Sequence, residues 1–166
     1  MGFQELLLVV LTSVLFSLLI LNINQTSLRN QEALQETEIV HTAISVAQRF
    51  IEEAKSKEYD AVSASLDPGD MPDGFTTVYG LGHNNSEHYP NFSDVDDYHG
   101  FNQTVTVRGM DFQVQISVVY VRDTNPEASY SNETFFKKMT VNVNSSYLSH
   151  GITLKQVISY YGVNNS

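Results

Sequence analysis

The sequence contains no cysteine, only four prolines, and nine lysines and arginines against nineteen aspartates and glutamates. Without cysteine there is no disulfide staple, no thiol nucleophile and no cysteine-ligated zinc or iron–sulfur centre, so the fold must be held by packing. The net charge of −10 leaves no basic stripe to neutralise phosphates, which argues against a nucleic-acid partner. No GxSxG, P-loop, GxGxxG or HExxH element occurs, and no acid–base pair stands beside an orienting partner, so we expect no enzyme. Proline and glycine are both missing between Phe3 and Pro68, so nothing obliges a helix to break anywhere from the N-terminus to Tyr59. A single helix of about 55 residues would be roughly 80 Å long, too long for a small domain, so about half of it is expected to project.

What is present begins with MGFQELLLVVLTSVLFSLLILN. Leu6 to Leu21 is an uncharged, mostly apolar run of 16 residues, at the short end for a membrane-spanning helix. No basic residue precedes it, and the first one, Arg29, follows it, so neither a secretory signal nor an ordinary single-span anchor is well specified. Glu5 stands at the head of the run. A carboxylate entering hydrocarbon is costly unless paired, and no lysine or arginine lies close enough in sequence to pair it. The plainer reading is that Glu5 interacts with the N-terminal end of its own helix dipole. Thr12, Ser13 and Ser17 within the run fit either small-residue contacts between helices or hydroxyls bonded back to their own helix.

The pattern then changes to a stripe. Ile39, Val40, Ala43, Ile44, Ala47, Phe50, Ile51 and Ala54 recur at the 3.6-residue period of an amphipathic helix. DPGDMPDG, from Asp67, marks a hinge from helix to sheet, and the residues up to Gly100 read as loop. Period-2 segments follow at 102–108, 111–121, 135–144 and 152–161, with a tight hairpin expected at Gly109–Met110. We therefore expect an α+β fold, in which the amphipathic half of a long N-terminal helix covers an antiparallel sheet of about four strands. The expected division is an apolar segment 1–25, a helical continuation 26–66, and a loop-and-sheet part 67–166 that forms one globular domain with 26–66.

A short polar start, a glutamate at position 5, an apolar helix running into an amphipathic half, and a four-stranded antiparallel sheet on that half together resemble type IV pilins and pseudopilins. The resemblance implies a structural subunit of an extracellular helical filament, inserted in the inner membrane before a pilus assembly machinery polymerises it with copies of itself. It implies that Glu5 accepts the Met1 amine of a neighbouring subunit, while Leu6, Leu7, Leu8, Val9, Val10 and Leu11 bundle in the filament core. Such a pairing would favour one axial register. The family's basic leader is absent ahead of Glu5, so the sequence begins at the mature residue or the protein is leaderless. Cleavage after Gly2 would instead make Glu5 the third residue. The family's mid-anchor glycine and proline and its C-terminal cysteine pair are also missing.

Two further patterns stand out. Asp94, Asp96 and Asp97, followed by His99 and Gly100, form an acidic loop that could gather calcium, as loops in some pseudopilins do, or could cap backbone amides with no cation. His83, His88 and His99 lie beside it without a metal-site spacing. Sequons occur at Asn24, Asn84, Asn91, Asn102, Asn132, Asn144 and Asn164, against about two expected from composition, and all but Asn24 are candidates for N-glycosylation in the globular part. Besides a pilus subunit at the cell surface, two other functions fit: a minor pseudopilin of a secretion system, and a membrane-tethered module that holds a ligand at its sheet and acidic loop.

Overall fold

The computed structural model describes residues 2–62, 74–83 and 87–163. The chain divides into two compact units, Met1–Ile39 and Val40–Ser166. Helix α1 runs Phe3–Lys55, β1 Asn102–Val107, β2 Met110–Tyr120, β3 Phe136–Asn144, β4 Ile152–Ser159, and a single turn of helix, α2, closes at Tyr160–Val163. The expected α+β architecture is present: one long N-terminal helix and a four-stranded antiparallel sheet in the order β1-β2-β3-β4.

In the first unit α1 is apolar on every side from Leu6 to Ile23 and mostly polar over 24–38. All the large apolar side chains from Leu6 to Ile23 are exposed, and so are those of residues 24–38 that are described. Thr12, Ser13 and Ser17 turn their hydroxyls back onto the carbonyls of Leu8, Val9, Val10 and Ser13 at 2.8–3.0 Å, which satisfies them within the helix.

In the second unit the helical stripe meets the sheet. Ala43, Val46, Ala47, Phe50, Ile51 and Ala54 are buried at steps of three and one. Val46, absent from the expected stripe, belongs to it, while Ile44 is only half-buried. Facing them are Phe112, Val114, Ile116, Val118 and Tyr120 of β2 and Met139, Val141 and Val143 of β3, all buried. The opposite face of the sheet carries Asn102, Thr104, Gln113, Gln115, Asn142 and Asn144 in register, which is the alternation expected of a sheet covered on one side.

α1 ends at Lys55 rather than continuing to Tyr59. Ser56 donates through its hydroxyl to the Glu53 carbonyl, and the chain turns so that Tyr59 and Asp60 face inward and Glu58 bridges to Asp94. The β1–β2 hairpin turns at Arg108–Gly109, one residue earlier than expected. Val107 pairs with Met110, and Arg108 and Gly109 both have positive φ (52° and 79°), as a type I′ turn requires. The turn follows strand twist, which a count of alternating residues does not register. Most of the DPGDMPDG segment lies outside the described residues.

Candidate functional site

Two places combine unusual chemistry with a defined setting. The first is the start of α1. The amide of Gly2 donates to Glu5 Oε2 at 3.1 Å, while the Gly2 carbonyl accepts from the amides of Glu5 and Leu6 at 3.0 and 3.2 Å. Gly2 is thus the N-cap, and Glu5, three residues on, reaches back to its amide as in half of a capping box. The helix-end reading of Glu5 is realised within the chain. Met1, the other proposed partner in assembly, lies outside the described residues. Leu6, Leu7, Leu8, Val9, Val10 and Leu11 are all more than half exposed. One window of α1 is long and apolar enough to cross a membrane, and its position near the N-terminus suits a signal sequence equally by length and composition.

The second place is a buried lysine. Sequence alternation in FFKKMTVNVN sets Lys137 in phase with Met139, Val141 and Val143, so its side chain enters the core. There its Nζ donates to Asp60 Oδ2 at 2.9 Å, Asp96 Oδ1 at 2.7 Å and the Tyr59 carbonyl at 2.8 Å. The ammonium also sits 4.3 Å from the Tyr59 ring centroid and 5.2 Å from that of Tyr120. The Lys137 and Asp60 side chains are fully buried. Asp60 is anchored further by the Thr76 amide at 2.9 Å, the Thr76 hydroxyl at 3.2 Å, the Val62 amide at 3.3 Å and the Tyr120 hydroxyl at 3.3 Å. Burial pushes the Asp60 carboxyl up, but the charge and hydrogen bond of Lys137, with the Thr76 and Val62 amides, outweigh it and hold the group below the usual carboxylate range. The Tyr59 and Tyr120 hydroxyls are pushed far up, first by burial and then by the adjacent Asp60 charge.

The acidic loop is drawn into the same cluster. Residues Asp96–Tyr98 form a 3-10 turn whose acids are buried. Asp94 Oδ1 accepts from the amides of Asp96 and Asp97 at 3.0 and 3.3 Å. Asp97 Oδ2 accepts from the Ser93 amide and hydroxyl and the Asp94 amide at 2.8–3.3 Å. Asp96 faces Lys137. Asp94 and Asp97 thus accept from backbone amides and Asp96 from an ammonium, while the Asp94 and Asp96 carboxyls also hydrogen-bond to each other. No group of three or more His, Cys, Asp or Glu among the described residues is arranged to hold a metal ion, and the calcium expectation finds no support in this geometry. Burial, with the neighbouring Asp96 and Asp97 charges, lifts the Asp94 pKa to about 8, against the pull of Lys137.

The loop is bolted to α1 as well. Glu53 accepts from the Tyr98 hydroxyl at 2.9 Å and the Tyr89 hydroxyl at 3.2 Å, and Arg49 donates to Tyr89 at 2.8 Å. His99 Nδ1 accepts from the Val118 amide at 3.1 Å, while the His83 and His88 rings lie 6.4 Å apart, so the three histidines do not converge. Asn91, Asn102, Asn132 and Asn144 are exposed, Asn102 and Asn144 on the same outer face of the sheet. Asn84 and Asn164 lie outside the described residues.

Asp60, Lys137, Tyr59 and Tyr120 carry this centre, and sequence reasoning singles out none of them. The one available signal is the phase of β3, which places a charged residue among inward-facing ones. Asp60 gives none, because a carboxylate after a helix usually faces solvent. Comparison with protein-family models, curated proteins and solved structures finds no match.

Proposed function

We propose that this chain is a structural subunit of a helical filament at the cell surface, held in a membrane before assembly and polymerised through the apolar part of α1. The observation that carries the reading is the contrast along one helix. From Val40 to Lys55 α1 buries a narrow stripe in a complete core, whereas from Leu6 to Ile23 it exposes apolar side chains all round. A surface of that kind needs hydrocarbon or other helices around it, since each buried methylene contributes about 0.8 kcal/mol. Copies of the same helix supply such surroundings without a closed dimer, because a helical stack is a heterologous interface that repeats. Glu5 at its head has the charge to accept a neighbour's N-terminal amine. The candidate glycosylation sites on the outer sheet face suit a surface that faces the exterior of the fibre.

The test is imaging of surface material sheared from cells that carry the native chain or Glu5→Ala. Long fibres containing this chain in the first and far fewer in the second support the reading. A chain that stays monomeric in the membrane in both cases overturns it and leaves a tethered module. Short fibres appearing only with a second subunit would assign it to a secretion apparatus instead.

A further inference from the structure

Lys137 is held against two carboxylates in a site sealed by aromatic rings, and the geometry suits a covalent outcome as well as an ionic one. We propose that Lys137 and Asp60 condense to an intramolecular isopeptide bond, with Asp96 as the proton carrier. The proposal does not rest on the filament reading.

The roles follow from the contacts. Nζ lies 2.9 Å from Asp60 Oδ2 and 2.7 Å from Asp96 Oδ1, so nucleophile, electrophile and base already touch. Asp60 Oδ1 accepts from the Val62 amide and the Thr76 hydroxyl, donors placed to stabilise the oxyanion that forms when its Cγ is attacked. Asp96 takes one proton from the ammonium and passes it to Asp60 Oδ2, and the free amine adds to Cγ of the carboxylic acid so formed. As the C–N bond forms and the bond from Cγ to Oδ2 breaks, a second proton passes from nitrogen by way of Asp96 to Oδ2, which leaves as water. An ammonium and a carboxylate have become one amide and one water, Asp96 is a carboxylate again, and nothing is oxidised or reduced.

Amide formation between an ammonium and a carboxylate is uphill in dilute water. Two features of this site change the balance. Effective molarities for fixed partners reach about 10⁵–10⁸ M, and the reaction removes the buried charges of Lys137 and Asp60, leaving the Asp96 charge to the hydrogen bond it shares with the Asp94 carboxyl. The bond would tie the segment just after α1 to the middle strands of the sheet, Asp60 to β3. That is a covalent staple in a chain that has no cysteine with which to make another.

The test is peptide mapping of the purified full-length protein, native and Asp96→Asn, denatured after folding and digested. In the native protein we expect a branched peptide joining Lys137 to Asp60, lighter by about 18 Da, one water, than its two parts. In Asp96→Asn the Lys137–Asp60 pair is retained but the carrier is lost, so the linked fraction at a fixed early time should fall at least about 100-fold. Recovery of Lys137 and Asp60 only in unlinked peptides from the folded native protein overturns the proposal, and the site is then an ion pair. A branch from Lys137 to Asp96, or full linkage in Asp96→Asn, overturns the assignment of roles. The first arm uses the unaltered chain, so its outcome does not depend on whether the variant folds.

Discussion

Tyr98, in the acidic loop, donates its hydroxyl proton to Glu53 on α1 at 2.9 Å, and this contact sets the loop's position against the helix. Burial first, and then Glu53 itself, raises the Tyr98 pKa well above that of an ordinary phenol, so the hydroxyl remains a donor through the whole neutral range. Tyr98→Phe keeps the ring and its packing on Phe92, 5.0 Å between centroids, and removes only the donor. Glu53 retains Tyr89. The expected loss is about 1–2 kcal/mol in chemical denaturation of the full-length protein, and an unchanged midpoint would show that the contact is idle.

Removing the buried cation should be far more damaging. Lys137→Met fills similar volume but leaves Asp60 and Asp96 facing each other without an ammonium, and the loss of one partner from a buried pair typically costs roughly 3–5 kcal/mol. Lys138→Met, on the opposite face of β3, is also at a buried position but removes only a hydrogen bond to the Glu127 carbonyl and no buried ion pair, so it should cost less, about 1–2 kcal/mol. Thermal unfolding of the two variants side by side is the measurement, and equal effects would contradict the burial of Lys137 between its two carboxylates.

The acids of the loop predict an unusual pH dependence. The Asp94 carboxyl faces Asp96 and Asp97 from its own turn and Lys137 from β3, and its folded pKa of about 8 lies above the unfolded value of 3.8. The folded state therefore binds more protons between those values, and Asp94's contribution falls as pH rises from about 4 to about 8. Asp60, in chains where it is not linked to Lys137, acts in the opposite sense. Its folded pKa is lowered, so its contribution is present above 3.8 and is lost as pH falls further. Stability should thus peak in the mildly acidic range. Asp94→Asn keeps Oδ1 as an acceptor for the Asp96 and Asp97 amides and removes the charge, so it should raise the melting temperature at about pH 9 and change it little at about pH 4.5. A melting profile whose slope between these values matches the native one would refute the assignment.

At the N-terminus, capping and pairing can be separated by one substitution. Glu5→Gln retains an oxygen for the Gly2 amide, as capping boxes allow, but carries no charge for a neighbour's amine. If Glu5 serves only as a cap, Gln should assemble like the native residue and Ala should not. If it neutralises an amine, both should lose fibres. Yield of sheared polymer per cell, corrected for subunit level, reads the difference.

The core interface of helix and sheet is open to a direct check. Phe50 lies 5.2 Å from Phe101 and 5.6 Å from Tyr89, ring to ring, and is fully buried. Phe50→Ala should cost about 3–5 kcal/mol, whereas Leu34→Ala, on an exposed part of α1, should leave unfolding of the domain unchanged. Paired melting curves decide it.

The sequence by itself determined the elements. Uninterrupted helical propensity from Phe3 to Tyr59, a little beyond the end of α1 at Lys55, the switch from a solid apolar run to a stripe at Ile39, and the alternation of the four strands are local periodicities, and local periodicity fixes which face of a helix or strand is buried. Tertiary structure alone decided the chemistry of the acids. From the sequence, Asp94, Asp96 and Asp97 fit either a calcium loop or caps on backbone amides, because spacing along the chain says nothing about what approaches from elsewhere. In the fold Lys137, from β3, reaches Asp96 and the distant Asp60, and backbone amides take Asp94 and Asp97. An ionisable group's partner is chosen by three-dimensional proximity in a medium of low dielectric, and no pattern of one or two turns encodes that.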